Sequence, residues 1–297
     1  MKIIPVILAG LVVLCGCSLR RLAVNQFGDA LASGGGVFGT DDDPELVRQA
    51  VPFGLKLQES LLAESPQHRG LLLSLASGFT QYSYAFVQAD AVELEDKDAT
   101  AAKALRDRAR RLFVRARDYG LRGLELNYPD FRKDPLAAIP LTTSRDVPLL
   151  YWTAAAWGAA IADSKDRPDI VADVGKMAAM MDRALELNEM FDQGAIHAFL
   201  ITYEMARPGL KPADAQARAR QHFDRAVELS QGKQAAPFVA YAEAVCVQLQ
   251  QRAEFVKFLQ QALAIDAYAV PESRLANLVA QRRARWLLGR ADELFVE

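Results

Sequence analysis

Four stretches of this chain end alike, and that repetition narrows the possible folds more than any single residue does. They are Gly123-Leu124-Glu125-Leu126-Asn127, Ala184-Leu185-Glu186-Leu187-Asn188, Ala226-Val227-Glu228-Leu229-Ser230 and Ala262-Leu263-Ala264-Ile265-Asp266. Each runs from a small residue through apolar ones to a polar finish. The preceding positions agree in kind, with Gly120, Met181, Phe223 and Leu259 in one slot and Ala116, Met177, Ala219 and Phe255 four residues earlier. A step of four keeps side chains on one face of a helix. Elsewhere too, apolar residues recur at helical spacing, and no useful length alternates as a half-buried strand would. The expected fold class is all-α.

Individual helices can be placed from their faces and their starts. Ile170, Val174, Met177, Met181 and Ala184 form one stripe after Pro168, and Ala215, Ala219, Phe223, Ala226 and Val227 form another after Pro212. Proline costs nothing in a first turn, where its missing N–H has no helical partner. Asp42 and Asp43 before Pro44-Glu45 put carboxylates at the positive end of a helix dipole. The longest pattern runs from Ala99 to Asn127, with Leu105, Ala109, Leu112, Ala116, Gly120 and Gly123 inward and Arg106, Asp107, Arg110 and Arg117 on a solvated side. The repeated endings resemble the last helix of a tetratricopeptide repeat (TPR), where small residues let paired helices approach closely. Their intervals are unequal, so the expected architecture is a single array of degenerate TPR-like hairpins with insertions. A plain bundle with coincident endings is the alternative.

Breaks are expected where helix formers give way. Gly34-Gly35-Gly36 ends an N-terminal helix in this reading, and Asn127-Tyr128-Pro129 ends the long one. Pro129 to Pro148, with Pro135 and Pro140 between them, reads as a long loop.

The first residues bear on location. Lys2 precedes an apolar run from Ile3 to Leu14, followed by Cys15-Gly16-Cys17-Ser18 and then Arg20-Arg21. The run falls short of the roughly 20 apolar residues that span a bilayer and has the build of a signal peptide. Leu14, Gly16 and Cys17 fit a lipoprotein cleavage motif. Residues 1–16 are therefore expected to be cleaved, residues 17–43 to form a lipid-anchored segment with a short helix, and residues 44–297 to be the helical domain. Lipid on Cys17 implies membrane attachment and a periplasmic body. Ser18, rather than Asp, after the modified cysteine favours the inner leaflet of the outer membrane.

Charge and chemistry exclude several functions. The full chain has a formal charge of −2, so loss of Lys2 makes it −3, and no basic face suited to nucleic acid is visible. Cys246 in Ala244-Val245-Cys246-Val247 reads as a buried thiol with no disulfide partner. His68, His197 and His222 fall on different segments without ligand spacing, and Asp41-Asp42-Asp43 lacks the rest of a calcium loop, so no metal is expected. No nucleophile elbow, phosphate loop or Cys-x-x-Cys pair is present. We expect no catalytic residues, no cofactor and no enzyme activity. His197, in Gly194-Ala195-Ile196-His197-Ala198-Phe199, is a candidate site residue whose other reading is a hydrogen-bonded core histidine.

Two uncharged segments depart from ordinary amphipathic helices: Phe79 to Phe86, and Leu149 to Gly158. Both crowd aromatics on more than one face. Tyr82, Tyr84, Phe86, Tyr151, Trp152 and Trp157 suit either a buried core or the wall of an elongated apolar cavity with a few orienting hydroxyls. The two segments are expected to lie beside each other.

Together the cleavage motif, Glu59-Ser60-Leu61-Leu62, Leu71-Leu72-Leu73 running into Tyr82-Ser83-Tyr84-Ala85-Phe86-Val87, the Arg106 to Gly123 helix, Tyr151-Trp152 with Ala155-Ala156-Trp157-Gly158, and the Ala217 to Ala226 helix resemble the TatT family. These are T components of TRAP transporters, the tripartite ATP-independent periplasmic transport systems. The resemblance implies a periplasmic lipoprotein of TPR-like hairpins that partners a TRAP-type substrate-binding protein, forms a homotrimer and handles a hydrophobic small ligand through a cavity or pore. The sequence departs from the family pattern in Phe199-Leu200-Ile201-Thr202, which lacks a glycine after the histidine, and in the single glycine of Arg207-Pro208-Gly209. A TPR-like scaffold lipoprotein for outer-membrane or envelope assembly is the alternative function.

Overall fold

The computed structural model describes residues 25, 26, 28–31, 35–164 and 167–295. The cleavage motif, Cys15 and Cys17 lie outside them. Among the described residues the regular structure is helical and there is no strand, so the chain is all-α.

The main helices are α1 (Gly35–Gly39), α2 (Pro44–Glu64), α3 (Arg69–Tyr82), α4 (Ala99–Glu125), α5 (Val147–Ala162), α6 (Val174–Leu187), α7 (Ala195–Ala206), α8 (Pro212–Leu229), α9 (Ala236–Tyr241), α10 (Arg252–Ala264) and α11 (Arg274–Gly289). Two of them run on through π-helical turns: α3 continues through Ser83–Gln88 into Ala89–Leu94, and α9 through Ala242–Cys246. Their starts follow the sequence closely. Asp43 caps α2 by accepting the amides of Glu45 and Leu46, and Asp98 caps α4 by accepting that of Ala101. His68 caps α3 through Nδ1, which accepts the Leu71 amide at 3.2 Å.

Packing runs helix to helix along the chain. α3 and α4 sandwich a core of Leu71, Leu72, Leu75, Phe79 and Ala116, with Leu55 and Leu62 from α2. The next core joins Leu121 and Leu124 of α4, Leu149, Leu150 and Trp157 of α5, Met177, Met180 and Met181 of α6, and Ile196 and Leu200 of α7. The third joins Ile201, Phe223, Phe238, Tyr241, Phe255, Phe258 and Leu287 across α7 to α11.

Glycines set the closest approach. A Cβ on Gly120 would stand 2.0 Å from Thr153 Oγ1, and one on Gly123 would stand 2.7 Å from Leu149 Cδ2, so α4 and α5 touch almost backbone to backbone. The small residues of the first repeated ending serve the close packing read from the sequence.

The array bends back on itself. α11 packs on α1 and α2. Arg274 donates to the Thr40 carbonyl at 2.8 Å, Arg282 pairs with Glu93 at 2.8 Å and Asp90 at 3.3 Å, and Arg290 pairs with Asp96 at 2.7 Å. The last helix thus closes against the first hairpin.

Two boundaries differ from the sequence reading, and a third falls partly outside the described residues. Residues 28–31 are helical and Gly35 and Gly36 open α1, held by α11 and the turn at Pro271–Ser273, while Gly34 lies outside the described residues. The Pro129 to Pro148 stretch is not an open loop. It folds into helical turns at Pro135–Ala138, Ile139–Leu141 and Ser144–Asp146, where prolines at first-turn positions are tolerated. The helix after Pro168 stops at Val171, and Val174 begins a new one after Asp173, whose carboxylate takes the Lys176 ammonium at 2.8 Å.

Candidate functional site

The π-helical turn at Ser83–Gln88 falls inside the first uncharged aromatic segment. Such turns add a residue to a helix and re-aim the side chains around it, and they recur at functional sites. Phe86 and Val87 are buried, whereas Tyr84 is turned out of the packed layer and is 62% accessible. Burial among protein atoms pushes the Tyr84 phenol up, the charge of Glu243 adds to that shift, and Arg283 opposes it.

The groups around it come from distant parts of the chain. Glu243 sits on the other π-helical turn, Ala242–Cys246, and Arg283 on α11. The two form a bidentate pair, and the Arg283 guanidinium lies 4.3 Å above the Trp286 ring. Tyr151, half-buried on α5, is also pushed up, by burial first and then by the charges of Asp192 and Tyr84. Its ring meets Trp152 edge-on at 4.9 Å and Phe191 at 5.2 Å. Folding thus brings the charges of Glu243 and Arg283 near Tyr84, and those of Asp192 and Tyr84 near Tyr151.

The other aromatic candidates divide between two settings. Trp152 is half-buried beside Tyr151. Tyr82 packs toward α4 with Leu105 and Leu112, and its ring lies 5.8 Å from Phe86. Phe86 is buried under the Arg48 guanidinium at 5.0 Å, and Trp157 is buried under that of Arg117 at 5.2 Å. The two aromatic segments do lie side by side, α3 packing on α5. Of their aromatic residues Phe86 and Trp157 are buried, Tyr82, Tyr151 and Trp152 are half-buried, and Tyr84 is exposed.

His197 belongs to a different cluster. Its Nδ1 stands 2.9 Å from Nδ1 of His222 on α8, and its Nε2 lies 3.5 Å from Glu189, which pairs with Arg225 at 2.5 Å. Burial pushes both imidazoles down, with Glu189 opposing the shift at His197; His222 reaches about 4. An open cleft of about 700 Å³, lined by Glu189, Arg220, Arg225 and both histidines, borders the pair. The sequence separated these histidines; the α7–α8 hairpin joins them. No group of three or more metal-ligating side chains forms among the described residues.

Sequence reading missed Asp192, Glu243 and Arg283. The signal for Asp192 was local and faint, a run of Asn188 to Gly194 rich in turn formers. Asp192 and Gln193 take left-handed backbone angles, with φ of 45° and 55°, and Gly194 follows at 94°. Nothing in the sequence marks Glu243 or Arg283, whose role depends on ring closure.

With this geometry in view, two comparisons bear on the chain. A family model described as the TRAP transporter T-component matches residues 40–295. A protein of Treponema pallidum (strain Nichols), described as an uncharacterized protein, is 30% identical over 304 residues, which cover 95% of this chain and 94% of that relative. No described helix is long and apolar enough to cross a membrane.

Proposed function

The chain belongs to the TRAP transporter T-component family, and from that premise we propose that it is a lipid-anchored periplasmic component that docks a TRAP-type substrate-binding protein and holds a hydrophobic ligand between Tyr84 and Tyr151. Membership makes it an accessory component of a TRAP transport system. The finer reading rests on one observation above the rest. Tyr151 and Trp152 are half-buried on α5 with Phe191 against Tyr151 at 5.2 Å, and the Tyr84 ring on the neighbouring α3 extension is exposed, so these rings offer a wall of apolar area to a ligand.

Such a wall suits an amphiphile. Tyr84, Tyr151 and Trp152 offer apolar ring area with polar tips, so a tail can lose water while a head group is oriented. The carrier's anchor is acylated Cys17, with the TPR-like hairpins as its body. A diacylated or triacylated cysteine binds a bilayer almost permanently, since each buried methylene contributes about 0.8 kcal/mol. We place it on the inner leaflet of the outer membrane and expect a homotrimer.

Affinity capture of the tagged protein from detergent-solubilised membranes tests the partner, with recovery of a TRAP-type substrate-binding protein as the expected result. Its absence after crosslinking would overturn the docking claim. Cys17→Ser should move the protein from the membrane pellet to the soluble fraction; retention in the pellet would refute the anchor. Sedimentation of the soluble body should give three times the protomer mass.

A further inference from the structure

The longest helix, α4, carries both signs of charge, and folding sorts them. Arg108, Arg111, Arg115 and Arg122 follow one another at steps of three, four and seven residues, which sets them along one strip of the helix with Tyr119 between the last two. The acids of α4 beside the strip are taken up by other cations: Asp107 by Lys103 and Arg110, Asp118 by Arg117 and Arg132, and Glu125 by Arg132.

Arg108, Arg111 and Arg115 are exposed, and Arg122 is half-buried. Arg115 pairs with Glu59 of α2, a carboxylate that must also serve Lys56 at 2.6 Å and the Tyr119 hydroxyl at 2.6 Å. Arg108 donates to the Tyr82 hydroxyl at 3.5 Å and Arg122 to the Pro66 carbonyl at 3.2 Å, both neutral oxygens. Among the described residues no ion pair reaches Arg108, Arg111 or Arg122, so the strip stays positive in a chain whose formal charge is −2. Beside it on α2, one turn from Lys56, Phe53 is 75% exposed.

The N-terminal segment joins the fold at one end of this face. The Asn25 carbonyl accepts from His68 Nε2 at 3.1 Å, and His68 is two residues from Pro66, which Arg122 contacts. Cys17 precedes Asn25 by eight residues, a reach of about 28 Å when extended.

Resting on the reading of Cys17 as the lipid anchor, we propose that this face lies on the anionic head groups of the bilayer that holds the anchor. Arg108, Arg111, Arg115 and Arg122 meet lipid phosphates, whose oxygens match the guanidinium fork, while Phe53 enters the boundary between head groups and acyl chains. A row of cations next to an exposed aromatic ring is the composition of an interfacial surface; free phosphate would leave the ring in water. The contact orients the body rather than holding it. Attraction to surface charge fades within a Debye length, so at physiological salt the acyl chains remain the anchor.

Vesicle cosedimentation at low salt tests this on the chain from residue 17 onward, which contains every described helix, with Cys17→Ser removing the acylation site. The vesicles are phosphatidylcholine alone, and phosphatidylcholine with one-third phosphatidylglycerol. The anionic vesicles should bind about tenfold more tightly, and high salt should release the protein. Arg108→Gln and Arg111→Gln, which break no ion pair, should each weaken binding about fivefold, and Phe53→Ser should weaken it about tenfold, with the helical signal and the melt retained. Equal binding to the two vesicles, or indifference to the arginine changes or to Phe53→Ser, overturns the proposal. Retention on immobilised polyglutamate without binding to either vesicle assigns the strip to an acidic protein and overturns the bilayer. The anchor is judged separately, by the fractionation of Cys17→Ser from cells, so the two readings can fail independently.

Discussion

His197 on α7 and His222 on α8 meet through their Nδ1 atoms at 2.9 Å, with ring centroids 5.1 Å apart. One nitrogen must donate and the other accept, so the contact exists only while at least one ring is neutral. A second proton would set two like charges against each other near Arg207 and Arg218, which already oppose protonation of His222. Asp182 and Glu189 pull the other way but are held by Arg207 and Arg225.

The pair therefore makes stability depend on pH in a defined window. Both folded-state values lie below the unfolded one near 6.5, so the unfolded chain takes up protons first on acidification. The contribution is complete above about pH 6.5 and is lost as pH falls from there toward 4. Thermal melts should show a falling Tm from pH 7 to pH 5, and His222→Gln should flatten part of that fall. Equal slopes in the two proteins would show that this pair does not govern the response.

Asp146 ties three segments together near the start of α5. It is 2% exposed and accepts from Arg69 at 2.8 Å, from the Tyr128 hydroxyl at 2.8 Å and from the Thr143 amide and hydroxyl at 3.0 Å each. Burial pushes its carboxyl up, but these donors together outweigh burial and hold it below the ordinary value. Asp146→Ala orphans all of them and should cost about 2–3 kcal/mol in urea unfolding. A cost within experimental error of zero would mean that water replaces every donor's partner.

The contact of Gly120 with Thr153 leaves no room for a methyl group. Gly120→Ala should destabilise by about 1–3 kcal/mol, although alanine is the better helix former, because α4 and α5 must part. Adding Thr153→Ala removes the hydroxyl that stands nearest and should recover part of the loss. A double variant no more stable than Gly120→Ala alone would place the strain elsewhere.

Trp152 and Trp157, five residues apart on α5, should respond oppositely to truncation. Trp157 is 4% exposed and packed in the core, so Trp157→Ala should cost about 3–5 kcal/mol. Trp152 is half-buried beside Tyr151, so on the proposed ligand wall Trp152→Ala should weaken binding of an apolar probe and leave the melt nearly unchanged. Should Trp152→Ala melt the protein as Trp157→Ala does, Trp152 is core and not wall.

The all-helical fold was legible because helical periodicity is a local property. A four-residue step in apolar character fixes a face whatever the face packs against, and caps such as Asp43 and Asp98 act within three residues of themselves. The family was legible for the same reason, since its pattern is one of packing residues along single helices. Gly120 and Gly123 also declared themselves, as small residues on an otherwise bulky stripe.

What the sequence could not determine depends on residues far apart in the chain. The aromatic candidates were chosen by composition, and composition does not say which side of a helix faces inward. In the π-helical turn over Ser83–Gln88, Tyr84 is left exposed while Phe86 stays in the core. Glu243 met Arg283 only when α11 packed beside α9, and His197 found His222 only when α7 folded onto α8. The sequence alone determined the helices and the faces they bury, because those follow from short-range spacing. Tertiary structure decided which polar groups share a space, because charge and desolvation act through distance in the folded molecule and not along the chain.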